Sequence, residues 1–124
     1  MCSIAGITKG NSAKEVHSML QTMKHRAPDD LGVFNDKNIS LGMGRLSIID
    51  LKSKNLCPYK NDKIILSFNG EIYNYKEIRK DLKKKGYQFK TTSDTEVLGN
   101  AWDKWGKNVL NKIKGMIVFA IYEK

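Results

Sequence analysis

The chain closes on Gly115-Met116-Ile117-Val118-Phe119-Ala120-Ile121-Tyr122, a nearly continuous run of apolar, β-prone residues that reads as a strand in a buried position. Such a strand belongs in an architecture of stacked layers. Further strands are expected over residues 4–7, over 31–34 and 39–49 around the turn Asp36-Lys37-Asn38, over 63–68 up to the turn dipeptide Asn69-Gly70, and briefly over 87–90. Between them lie helical patterns. Ser12-Ala13-Lys14-Glu15 is a capping box ahead of Val16, Met19, Leu20 and Met23, and Pro28 marks the end of that helix. Asn74 is expected to cap a lysine-rich helix that Gly86 ends. Ser93-Asp94-Thr95-Glu96 is a second capping box, ahead of Val97, Ala101, Trp102 and Trp105. A last helical piece carries Val109, Leu110 and Ile113. Strands and helices mix without strict βαβ alternation, so the class is α+β in stacked layers. Residues 1–124 read as a single domain without repeats, low-complexity tracts or linkers.

The formal charge of +9 raises the question of a nucleic-acid partner. Much of it lies in Lys76-Glu77-Ile78-Arg79-Lys80-Asp81-Leu82-Lys83-Lys84-Lys85. Ile78 and Leu82, four apart, form a buried stripe and leave the lysines on a solvated face. No aromatic residue interleaves the run to stack on bases, so the charge does not select nucleic acid. No apolar run approaches the ~20 residues of a membrane span. No basic region with a following apolar stretch opens the chain, so a secretory signal is not expected. The two cysteines, Cys2 and Cys57, are too few for a disulfide framework, and a reducing cytoplasm is the natural compartment. With only His17 and His25 beside them, no structural metal site is expected.

Cys2 carries the sharpest chemistry. Removal of the initiator methionine would place a thiol, with an ordinary pKa of about 8.5, beside a free α-amine that titrates at about 7.7–8.0. Such an amine is substantially neutral at physiological pH and can take the thiol proton directly or through one water. The plainer reading is a cysteine that merely opens a buried strand.

The remaining motifs weigh on that choice. His25-Arg26-Ala27-Pro28-Asp29-Asp30, Leu41-Gly42-Met43-Gly44-Arg45-Leu46-Ser47-Ile48-Ile49-Asp50, Phe68-Asn69-Gly70-Glu71-Ile72-Tyr73-Asn74-Tyr75 and Thr92-Ser93-Asp94-Thr95-Glu96-Val97 follow Met1-Cys2-Ser3-Ile4-Ala5-Gly6 in order. Together they resemble the glutamine-hydrolysing domain of asparagine synthetases, a class II glutamine amidotransferase of the N-terminal-nucleophile hydrolase superfamily. The resemblance implies an αββα sandwich and assigns roles. Cys2 attacks the glutamine side-chain amide to form a γ-glutamyl thioester. Asn69, by its side-chain amide, and Gly70, by its backbone N–H, form the oxyanion hole, although Asn-Gly alone reads as a hairpin turn. Arg45 grips the α-carboxylate with a planar fork suited to it. Asp94 takes the α-ammonium, where the local sequence alone offers first-turn helix stabilisation instead. Leu46, Ser47, Ile48, Ile49 and Glu71 complete the glutamine site.

Departures from the family pattern bear on the fit. Ser3 stands where the family has glycine, and could shift Cys2. Ala27 replaces a glycine, which matters where positive φ is needed. Met43 and Gly44 replace a polar pair before Arg45. The resemblance also makes the domain short at its C-terminus. The Ser-Gly-Gly-x-Asp loop of the synthetase part is absent from the sequence, so no cofactor is expected on these residues, and ATP and magnesium would sit on a separate synthetase domain or subunit receiving the ammonia. A reading of another class is a catalytically silent amidotransferase fold that binds or regulates a partner, or dimerises through an uncovered sheet edge.

Overall fold

A computed structural model describes residues 2–53 and 56–124. Its centre is a pair of three-stranded antiparallel sheets. In the first, β3 (Ser40–Arg45) lies between β1 (Ser3–Ile7) and β2 (Asp30–Asn35). In the second, β5 (Ile64–Ile72) lies between the short β4 (Tyr59–Lys60) and β6 (Gly115–Glu123). The sheets meet where Met43 of β3 enters a core with Leu66 and Phe68 of β5, and the Ser67 hydroxyl donates to the Gly42 carbonyl at 3.1 Å.

Helix α1 (Ala13–Thr22) covers the outer face of the first sheet through the fully buried Val16 and Leu20. Helix α3 (Asp94–Trp105) covers the second through Val97, Leu98 and Ala101, with α2 (Tyr75–Lys84) packed on α3 by Ile78 and Leu82. The layers are therefore α, β, β, α, as the resemblance implied. The lysines of α2 face outward, as its spacing predicted.

The doubly covered strand is β5, not β6. All of 64–68 is buried, because β5 is central and sits between β3 and α3. β6 occupies an edge, so Ile117, Phe119 and Ile121 pack inward while Met116 and Val118 stay 66% and 57% exposed. Its apolar run is shared between a core face and a surface face.

Asn69-Gly70 is not a turn. Both residues continue β5, paired with Val118 and Ile117 of β6. Gly70 has φ +156, and a Cβ there would fall 2.1 Å from the Met116 carbonyl oxygen. Gly70→Ala is therefore expected to destabilise the fold by about 3 kcal/mol, from backbone strain and overpacking together. Urea unfolding followed by circular dichroism checks it. A midpoint within error of wild type would contradict the close β5–β6 approach.

Other elements moved for local reasons. Residues 87–90 form no strand, because the Lys90 and Thr91 N–H groups donate to the Glu96 carboxylate at 2.9 and 2.7 Å. The expected 39–49 strand ends at Arg45, where the chain turns out of the sheet. Ser12 and Asn74 hold the N-cap positions without capping by their side chains. Ser12 accepts nothing from α1, and its N–H donates to Ser40. The Asn74 amide instead bridges Lys112 and Lys114 at the entrance to β6. Ser93 does cap α3, accepting the Glu96 N–H at 3.2 Å. The final helical piece is a 3₁₀ helix, Gly106–Asn111, with Val109 buried and Leu110 exposed.

Candidate active site

A cavity of about 300 Å³ opens between the two sheets, near the lower limit for small-molecule sites. Cys2 enters from just ahead of β1, and β3 with its following loop supplies Met43, Arg45, Leu46, Ile48 and Ile49. From β5 come Phe68, Asn69, Gly70 and Glu71, from the start of α3 Asp94 and Thr95, and from β6 Met116, Ile117 and Val118. All the residues expected from the sequence converge here except Ser47. Ser47 faces a neighbouring groove with Asp29 and Asp30, and its N–H donates to Asp29 at 2.7 Å. Met43, Phe68, Thr95 and the β6 residues were not expected from the sequence to line the site. Nothing local marks them, since they are apolar or capping positions brought in by sheet stacking.

The Cys2 thiol is half-buried and approaches the Leu46 carbonyl at 3.8 Å. Met1, whose removal would free the α-amine, lies outside the described residues. Ser3 is accommodated within the sheet, its hydroxyl buried without a hydrogen-bond partner among the described residues. It is buried opposite Gly44 in the β1–β3 register, and a Cβ at position 44 would lie 2.5 Å from the Ser3 hydroxyl oxygen. The extra atoms of Ser3 fit because Gly44 has no side chain. Ala27 needs no left-handed backbone, since among the described residues only Asn11 and Asp50 are non-glycines with positive φ.

The second cysteine is chemically distinct. Burial, with the Asp30 carboxylate nearby, pushes the Cys57 thiol up to about 12. The thiolate of Cys57 is thereby disfavoured at neutral pH.

Asn69 adds a buried side-chain oxygen, Oδ1, without a hydrogen-bond partner among the described residues. Buried polar atoms are ordinarily paired, so this atom marks a place for a donor. Asp94 is 6% exposed, and Oδ2 accepts the Ile72 N–H at 3.1 Å. Burial raises its pKa, the backbone N–H bonds work against that, and the Glu71 charge adds to it. An ammonium in the cavity would offset this penalty.

Arg45 departs from a freely presented clamp. It is 6% exposed. One terminal nitrogen donates to Ser53 O at 2.6 Å, and the other to Ile49 O and Asp50 O at 3.0 and 2.6 Å. Much of its fork thus shapes the 46–53 loop, leaving only the remaining donors for a ligand.

Comparison with known proteins agrees with this architecture. A family model described as a glutamine amidotransferase domain matches residues 1–124. Asparagine synthetase (glutamine-hydrolyzing) 1 of Bacillus subtilis (strain 168) is 36% identical over 132 residues, which cover 100% of this chain and 21% of the relative. Asparagine synthetase B (glutamine-hydrolyzing) of Escherichia coli (strain K12) is 35% identical over 129 residues, covering 99% and 23%. The chain thus spans about a fifth of the length of these relatives. Among solved structures, the glutamine phosphoribosylpyrophosphate amidotransferase of B. subtilis, in complex with ADP and GMP, superposes with a TM-score of 0.73 at 17% identity. That match covers 99% of this chain and 35% of the other. The layered sandwich is the N-terminal-nucleophile amidotransferase fold. This chain belongs to the glutamine amidotransferase domain family, and its relatives are glutamine-hydrolysing asparagine synthetases.

Proposed function

We propose that this domain hydrolyses glutamine to glutamate and ammonia through Cys2, as the glutaminase half of an asparagine synthetase-type enzyme working in the cytoplasm. The observation that carries the reading is the convergence of Cys2, Asn69, Gly70 and Asp94, from separate elements, on one amino-acid-sized cavity. With Met1 removed, the α-amine takes the thiol proton as sulfur attacks the γ-amide carbon. The tetrahedral oxyanion receives hydrogen bonds from the Asn69 amide and the Gly70 N–H. Collapse breaks the C–N bond, and the amine returns its proton to the departing nitrogen as ammonia. Water, deprotonated by the same amine, then splits the thioester, releasing glutamate and restoring the thiol.

Asp94 pairs with the substrate ammonium. The free donors of Arg45 meet the α-carboxylate, while its engaged donors hold the loop bearing Leu46, Ile48 and Ile49 against the cavity. Glu71 adds polar contacts at the amino end, and Ser47 acts through the backbone alone. Ammonia passes to a synthetase domain or subunit, and ATP and magnesium belong to that step.

Labelling with a glutamine-like electrophile, followed by intact and peptide mass spectrometry, tests the site. One adduct is expected, on Cys2, in chains lacking Met1. Excess glutamine should block it, and Cys57 should remain unmodified. Labelling of Cys57 in preference to Cys2, or no labelling of processed chains, would sink the proposal. The latter result in a folded chain is the signature of the silent binding subunit, which would dock through the exposed side chains Met116 and Val118 of β6.

A further inference from the structure

Two segments beside the cavity are not joined by β-pairing: the loop after β3, residues 46–53, and the segment 90–93 that leads into α3. The first carries Leu46, Ile48 and Ile49 into the cavity, and the second sets the start of the helix that carries Asp94. One side chain spans them. Asp50 has φ +59, a left-handed conformation that costs a non-glycine residue energy. Held there, its Oδ1 accepts the Ser53 N–H at 2.9 Å, and Oδ2 accepts both the Ser53 hydroxyl at 2.6 Å and the Thr92 N–H at 2.7 Å. Its own carbonyl accepts from Arg45 at 2.6 Å. Among the described residues, Asp50 is the side chain that hydrogen-bonds the loop to the 90–95 segment, through Thr92.

From this we infer that Asp50 is a positioning residue for the amino-acid end of the glutamine site, a latch that sets the spacing between the Arg45–Ile49 wall and Asp94. The inference rests on the glutaminase reading. Asp50 does not line the cavity, so it acts through Arg45 and Thr92 rather than on substrate. A displaced wall weakens recognition of the α-amino and α-carboxylate groups, while the β5 donors keep their place in the β5–β6 ladder and Cys2, whose thiol meets the loop only through the long contact to Leu46, keeps its backbone position beside β1. The signature is therefore a rise in KM with kcat largely kept.

The test compares Asp50→Ala, Asp50→Gly and Asp50→Asn with wild type by steady-state glutaminase kinetics and by amide hydrogen exchange. Asp50→Ala is expected to raise KM about tenfold with kcat within roughly threefold, and to speed exchange at Thr92. Asp50→Gly relieves the left-handed backbone yet lacks the latch, so its KM should match that of Asp50→Ala. Asp50→Asn keeps one acceptor and should recover part of the loss. Equal kinetics in all variants, recovery by glycine but not asparagine, or unchanged exchange at Thr92 would overturn the latch. A parallel fall in kcat with melting temperature and no change in KM would also overturn it, reducing Asp50 to a stabilising residue. Wild-type chain that releases no ammonia overturns the glutaminase reading instead, and the exchange arm then still decides whether Asp50 joins the two segments.

Discussion

Ammonia release from glutamine is expected to fall by a factor on the order of 10⁴ or more in Cys2→Ala, as loss of a covalent nucleophile does in acyl-transfer enzymes generally. The fold should survive. Cys2 precedes β1 rather than sitting inside it, and among the described residues its side chain makes one hydrogen bond, the long sulfur contact to Leu46. Its half-buried thiol touches the edge of the core, so the melting temperature should drop only slightly. A retained Met1 should mimic the variant, because it caps the amine and removes the base while leaving the thiol. Discontinuous glutaminase assays with intact mass on the same samples check both effects. Activity proportional to total protein rather than to the processed fraction would place the base elsewhere.

Asn69→Ala is the second large effect. Loss of one oxyanion donor typically slows the chemical step by about 10²–10³, so kcat should fall by that much with KM nearly constant. Position 69 lies in the β5–β6 ladder opposite Val118, and alanine keeps the backbone pairing. Among the described residues Oδ1 has no partner, so the folded state loses no bond to them from that atom. Stability should accordingly change by less than about 1 kcal/mol. Single-turnover and steady-state kinetics on the same variant separate the two outcomes. A tenfold rise in KM at constant kcat would assign Asn69 to ground-state binding instead.

The strand and helix segments were largely legible because periodicity reports burial. Ile78 with Leu82 and Val97 with Ala101 lie on buried faces as their spacing implied. Periodicity does not report which strand is central. The 115–122 run is apolar on both faces although only one is covered, whereas 64–68 is covered on both. Asn69-Gly70 carries the local signature of a hairpin, but the β6 partners that straighten it, Val118 and Ile117, lie nearly fifty residues onward, beyond any window of local reading. The cavity was legible as motifs, and its residues do converge. The engagement of Arg45 by loop carbonyls and the part of Asp50 were not, since both depend on where backbone groups of a non-repetitive loop point. Ser47 stands apart from the cavity for a simpler reason: its neighbours line the cavity, while its own N–H donates to Asp29.

The two walls of the cavity are made differently, and this separates what can be altered from what cannot. The wall bearing Asn69 and Gly70 is part of a nine-residue ladder between β5 and β6, in which moving one residue shifts a whole register. The opposing wall is a loop suspended from Arg45 and Asp50 by side-chain bonds. Changes of length or side chain at 46–49 can therefore be absorbed locally, without disturbing the strand. A domain built this way can drift in the amino acid it accepts while its reaction chemistry stays constant.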